Sequence, residues 1–251
     1  MISIEIKMLI ITIFFISTLY HIAMAQMNVP NLGLLMAIPF ISYVLIHCLR
    51  FKKPSIHDLA LLLPKIKYLI LSIITPIILG LIFHSFFYFS NYGIFLFERL
   101  SEIIPLLLIG LTIATLSALL EEIIWRGYLH SQLREGYSFH KTACITAFIW
   151  SIWHLPIALF YKAYTNNAIG TLSYLAILFI VSYILSYLRE QSGSVIPVAF
   201  FHGLINVFYF GDGIQMHLHL HTIEVTKLIL LFLFFFIFLC LVKKSSLNNS
   251  R

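Results

Sequence analysis

Polar residues interrupt this chain rarely, and they do so at intervals. Between the interruptions lie eight predominantly apolar runs, at about 7–25, 31–49, 68–90, 103–127, 141–161, 170–188, 195–210 and 224–242. A bilayer crossing takes about 20 mostly apolar residues at 1.5 Å rise per residue. The pattern therefore predicts an all-α, polytopic membrane helix bundle of about eight transmembrane helices. The seventh run is short and carries His202 and Asn206, which predicts a helix lining a protein interior rather than facing lipid. Lys7, the run after it and Ala23-Met24-Ala25 also have the layout of a signal peptide, but the run is long enough to span and a first span is expected. The loop 50–67, with Ser55-Ile56-His57-Asp58 ahead of Leu59 to Leu63, reads as a short amphipathic helix on the inner surface. The stretch Leu231 to Leu241 is nearly pure Leu, Phe and Ile and reads as a lipid-facing anchor. No soluble domain, long linker or internal repeat is apparent.

Composition sharpens this picture. Hydrophobic residues make up 61% of the 251 and charged residues 10%, with a mean hydropathy of +0.98. Ordinary soluble domains run at roughly 45–50% and 25%. A soluble enzyme, a disordered tail and a secreted disulfide scaffold are excluded. Cys48, Cys144 and Cys240 are far apart in apolar runs, so neither a disulfide framework nor a C-x-x-C metal site is expected. The net charge of +6 is explained by topology rather than by nucleic acid. With both termini cytoplasmic, 12 of the 16 basic residues fall on the inner side, and only Arg99, Lys162 and Lys227 fall outside. Arg126 lies at the inner end of the fourth span. The expectation is a multi-pass cell-membrane protein whose partners are the lipid bilayer and a substrate within it. The chain ends Asn248-Asn249-Ser250-Arg251 with no retention signal, and a bacterial membrane is expected.

Ionisable groups at membrane depth cost about 2.5–3.5 kcal/mol each on insertion scales, which makes each a functional candidate. They concentrate in three places. In Glu121-Glu122-Ile123-Ile124-Trp125-Arg126, Glu122 and Arg126 are four residues apart and share a face, while Glu121 points about 100° away. In Trp150-Ser151-Ile152-Trp153-His154, Trp150 and His154 share a face, just before Pro156. In His202-Gly203-Leu204-Ile205-Asn206, His202 and Asn206 share a face, and Gly203 permits close backbone approach. Taken singly, the acidic group favours function over an interfacial charge cluster, whereas His154 reads more readily as a satisfied core histidine and His202 with Asn206 as interhelical hydrogen-bond glue. Together they form an inventory for peptide hydrolysis. A carboxylate can take a proton from water, histidine can shuttle it, and histidine plus asparagine can donate to an oxyanion. No Ser or Cys has a comparable partner, so covalent catalysis is less favoured. The same cluster would also suit a non-catalytic scaffold or immunity protein, or a proton-coupled transporter. A transporter, however, should show inverted repeats or interrupted helices.

The ordered set Glu121-Glu122-x-x-x-Arg126, Trp150-x-x-x-His154 and His202-x-x-x-Asn206 resembles the CPBP intramembrane proteases, the CAAX proteases and bacteriocin-processing proteins also called the Abi family. The likeness covers roughly residues 100–212, with Trp150 where the family usually has phenylalanine. It implies an integral-membrane endopeptidase of eight spans. It also implies that Glu121 activates water with His154 as partner, that Glu122 and Arg126 hold the site, and that His202 and Asn206 bind the oxyanion. A zinc ion on Glu121, His154 and His202 is possible chemistry for such a set, but H-E-x-x-H is absent and a metal-free reaction is favoured. On this reading 1–99 holds the N-terminal helices, 100–212 the catalytic core, and 213–251 an outer loop and anchor. Glu121 falls about 9 Å from the inner end of its span and His202 about 10 Å from the inner start of its own, so the site is expected to open toward the cytoplasmic half. His154 counts deeper, about 20 Å from Lys141. The alternating histidines of Met216-His217-Leu218-His219-Leu220-His221 could ligate a metal, but read better as a polar loop. His21, His47 and His84 are expected at interfaces without chemistry, and Phe86-Phe87-Tyr88-Phe89 as an aromatic belt.

Overall fold

A computed structural model describes residues 3–27, 33–49, 57–92, 100–211 and 218–248. Each apolar run folds as helix. They are α1 (Ile4–Met27), α2 (Ile38–Leu49, after a 3-10 turn at Leu34–Ala37), α3 (Ile66–Phe89), α4 (Ile103–Arg134), α5 (Phe139–Trp153), its short continuation α6 (Leu155–Phe160), α7 (Asn167–Ser192), α8 (Ile196–Phe208) and α9 (Leu220–Asn248). The described residues contain no strand. Among the described residues, six helical segments are long and apolar enough to cross a membrane, whereas Leu34–Cys48 and Ile196–Phe208 fall short. The expected bundle is present, with two of its eight members truncated.

Of the six membrane-length segments, α7 is the most deeply packed, with 56% of its apolar window buried. Val181, Ser182, Leu185 and Ser186 are fully enclosed. Asn166 caps its start by accepting from the Ile169 amide at 3.1 Å, and Gly193, in the left-handed region at φ 77°, ends it. The short α8 is wedged between α3 and α4 by two glycines. A Cβ at Gly80 would stand 2.7 Å from Phe208, and one at Gly203 would stand 2.5 Å from the Thr115 amide nitrogen. Small residues at both crossings let the backbones approach, as in other membrane bundles.

The bundle has two distinguishable ends. At the first, Ser3 lies beside Gln132 and Tyr137, Lys65 donates to the Gln191 carbonyl at 3.3 Å, and the Val195 amide donates to the Ala60 carbonyl at 3.0 Å. At the second, His21 meets the Tyr161 hydroxyl at 3.1 Å, Lys162 pairs with Glu224 at 2.7 Å, and Thr165 meets His221 at 2.8 Å. The N-terminal helix starts at the first end and α9 runs back toward it, its Phe238 ring 4.9 Å from that of Tyr187.

Several sequence expectations change here. Residues 57–60 form a turn and 61–65 have no regular structure, so the described part of the 50–67 loop is not an amphipathic helix. Leu59 and Ala60 are instead drawn into the core against Gly127, and Pro64 blocks helix ahead of α3. His21 and His84 are buried and hydrogen-bonded between helices rather than interfacial. Lys227 lies inside α9, not in a loop, with its ammonium 5.1 Å from the centre of the Phe83 ring. His221 is likewise in α9, its ring stacked on His219, while Met216, His217 and Arg99 lie outside the described residues. All three cysteines are free and exposed.

Candidate active site

Two adjacent carboxylates on one helix point to different neighbours. Glu121 and Glu122 sit where α4 widens into a π-helical stretch at Ile123–Leu129, a local irregularity often found at functional positions. Both acids and every residue from Ile123 to His130 are buried. Because neighbouring positions differ by about 100°, one acid addresses α5 and the other α8.

Glu122 is saturated. Arg126 Nη1 donates to both its oxygens, at 2.8 and 3.0 Å, and His202 Nδ1 donates to Oε1 at 2.7 Å. Arg126 also gives Nη2 to Ser182 Oγ at 2.7 Å, and its guanidinium lies 4.7 Å from the centre of the Trp150 ring. Both members of this pair are 0% exposed. A buried ion pair holds only when its remaining donors and acceptors are satisfied, and His202, Ser182 and the indole face contribute to that here.

Glu121, 1% exposed, is held differently. Among the described residues its hydrogen-bond donor is Trp150 Nε1, 3.0 Å from Oε2. The same tryptophan's carbonyl accepts from His154 Nδ1 at 2.8 Å. A carbonyl oxygen cannot donate, so His154 carries its proton on Nδ1, and in the neutral ring Nε2 keeps its lone pair. Trp150 thus ties the acid to the histidine through its own side chain and backbone.

These residues border one cavity of about 250 Å³. Glu121, Trp150, His154, His202 and Asn206 supply its polar wall, and Leu178, Ile157 and Trp153 its apolar wall. Leu35, Met36, Lys162 and Phe210, all from the second end of the bundle, add to its lining. The four groups expected to meet, Glu121, His154, His202 and Asn206, do meet. Glu122 and Arg126 lie behind them as the expected pair. Three features were not anticipated. His202 is anchored by Glu122, and Ser182 is a partner of Arg126. The indole N–H of Trp150, expected only as an aromatic, is the donor to Glu121; a buried tryptophan's need for an acceptor was the available signal.

Glu121, His154 and His202 face the same space, yet among the described residues no three His, Cys, Asp or Glu side chains are arranged to hold a metal ion. The donor set for zinc is therefore not assembled in this geometry.

Comparison with known proteins gives two findings. The model of the family described as type II CAAX prenyl endopeptidase Rce1-like matches residues 103–208. That stretch runs from α4 through α8 and holds the whole polar wall of the cavity. Over 117 residues, 44% of the chain, the sequence is 31% identical to a CAAX prenyl protease 2 of Methanococcus maripaludis. The chain spans 42% of the length of that relative.

Proposed function

We propose that this chain, whose residues 103–208 match the type II CAAX prenyl endopeptidase Rce1-like family model, is an intramembrane endopeptidase that hydrolyses a peptide bond of a membrane-associated peptide or protein with water activated by Glu121. The convergence of Glu121, His154, His202 and Asn206 on one cavity carries this reading.

In the reaction, a water beside Glu121 gives up a proton to the carboxylate as its oxygen attacks the scissile carbonyl. The carbonyl oxygen becomes an oxyanion, which receives hydrogen bonds from Asn206 Nδ2 and His202 Nε2. Because His202 Nδ1 already donates to Glu122, a donating Nε2 requires a doubly protonated ring. The site then balances, with two carboxylates against one guanidinium and one imidazolium. His154, with Nε2 unprotonated, relays the proton from Glu121 to the departing amine as the C–N bond breaks. Glu122 and Arg126 do not touch substrate; they position His202. Both termini are assigned to the cytoplasm on the distribution of basic residues.

The test compares the peptides produced by cells carrying the wild-type chain and the Glu121→Ala form, with membrane insertion checked in parallel. The expected result is loss of cleavage with insertion intact. Full cleavage by the Glu121→Ala protein overturns the proposal.

A further inference from the structure

We infer that the seam between α4, α5 and α7 binds a small cluster of internal water, and that this water fixes the Arg126 guanidinium behind the site. The water site stands on geometry alone; its consequence for cleavage rests on the protease reading above.

Two rungs of a polar ladder bound this water site. On α4, Arg126, His130 and Arg134 recur every four residues, and on α7 so do Ser182, Ser186 and Glu190, which puts each set on one face. The two sets meet in register. Arg126 donates to Ser182 at 2.7 Å and Arg134 to Glu190 at 2.8 Å, with an offset of 56 positions in both. The same offset sets His130 opposite Ser186, and that middle rung is unmade. His130 Nε2 turns instead to Glu190, at 3.0 Å. Its Nδ1 and the Ser186 hydroxyl are buried, and neither has a hydrogen-bond partner among the described residues.

Helix α5 closes the third side with the same chemistry. Its Phe139 ring lies 6.5 Å from that of His130, and its Trp150 ring 4.7 Å from the Arg126 guanidinium. Thr142 and Thr146 fall between those two contacts on the same face, at steps of three and four residues. Both hydroxyls are buried without a partner, and so is Arg126 Nε, whose other nitrogens serve Glu122 and Ser182. Five polar atoms from three helices, on residues no more than 1% exposed, thus lack a protein partner along one stretch of the seam.

A hydroxyl on a membrane helix has an easy way out, a bond back to the carbonyl one turn earlier. Thr112, Ser117 and Thr226 take it. Thr142, Thr146 and Ser186 do not. Sealed polar atoms are satisfied by protein or by internal water, and one such water takes about three hydrogen bonds. The donors and acceptors suit it, because Arg126 Nε donates and the three hydroxyls do both. Water on Nε, with Nη1 on Glu122 and Nη2 on Ser182, engages all three guanidinium nitrogens and fixes their plane. That plane orients Glu122, which holds His202. Thr142, Thr146 and Ser186 are therefore positioning residues, and none of them lines the cavity.

The first measurement needs no variant. Millisecond X-ray radiolysis of the full chain in detergent makes hydroxyl radicals from bound water, and mass spectrometry reads the side chains they oxidise. His130 should be oxidised despite its burial, whereas Phe87, equally buried among aromatic neighbours, should be protected. Equal protection of the two, scaled to their intrinsic reactivities, overturns the water site. The second measurement uses Thr142→Val, Thr146→Val and Ser186→Ala, which each remove one hydroxyl with little change of shape. At least two of the three should lower the unfolding midpoint by about 2–4 °C. An unchanged or raised midpoint in two or more overturns the water site, because deleting an unpartnered polar atom from a dry seam relieves a penalty. For the positioning role, cleavage is read at a temperature where the variants stay folded. The expected result is a fall in kcat of about threefold or more with KM unchanged. Unchanged kcat overturns that role. If the wild-type chain cleaves nothing, the protease reading fails, while labelling and midpoints still decide the water.

Discussion

At the residue scale, the division of labour between two neighbouring acids decides the chemistry. Glu122 has both oxygens engaged by Arg126 and one also by His202, and it does not border the cavity, so it is not placed to take a proton from water there. Glu121 borders the cavity with the indole of Trp150 as its donor. A hydrogen bond to a charged acceptor is worth about 1.5–3 kcal/mol. Trp150→Phe removes that bond and trims the ring that packs against Arg126, His154 and His202, so protein folding is checked alongside activity. Its expected effect is a fall in kcat of about 10- to 100-fold with KM little changed, read from steady-state cleavage by purified protein. An equal loss in KM would show that the indole serves substrate binding instead. Chelation tests the activating group separately. Cleavage should be unaffected by a chelator, whereas loss with rescue by zinc would assign water activation to a metal. The motif residues were legible in the sequence because buried charge is costly and stands out in apolar runs. Ser182 was not, since a serine in a membrane helix is common and its partner Arg126 lies 56 positions away.

At the scale of elements, the site depends on how closely α8 can approach α4. Gly203 sets that distance and follows His202 directly, so the contact that brings the backbones together also delivers the histidine to Glu122. Gly203→Ala would gain up to about 1 kcal/mol of helix propensity. Against this, the new methyl would meet backbone atoms of Thr115, which cannot rotate aside, and overpacking of this kind costs about 1–3 kcal/mol. The clash wins. Thermal unfolding in detergent should show a lowered midpoint, and cleavage should fall further than stability alone explains, because His202 is pushed from its anchor. The run 195–210 and Gly203's role in close approach were both readable in advance. The amphipathic loop was misread for a physical reason. Leu59 and Ala60 are captured by Gly127 and Val195, partners remote in sequence, and that tertiary capture overrides the local pattern.

At the scale of the whole molecule, apolar length gave the bundle and its spans, but not how the cavity is walled off toward the end that carries the termini. Counting residues from helix ends placed Glu121 and His202 nearer the terminal side. Depth along a helix, however, does not say which end of a cavity is plugged. That depends on the Leu59–Ala60 turn and on the uninterrupted burial of α4 beyond Glu121, both products of packing.

The two truncated helices have a consequence for the lipid. At 1.5 Å per residue, the 12 residues of α2 reach about 18 Å and the 13 of α8 about 20 Å, against a hydrocarbon layer of about 30 Å. The Phe208 carbonyl meets His84, five residues before α3 ends at Phe89, so α8 stops short at the second end. The tip of α8 there, and the approach to α2, contribute Phe210, Leu35 and Met36 to the cavity lining. Lipid beside such stunted helices thins to match them. On the proposed function, the chain therefore sits in a dimple of its own making that shortens the path from the aqueous phase to Asn206, bringing in the one reactant that a bilayer withholds from hydrolysis.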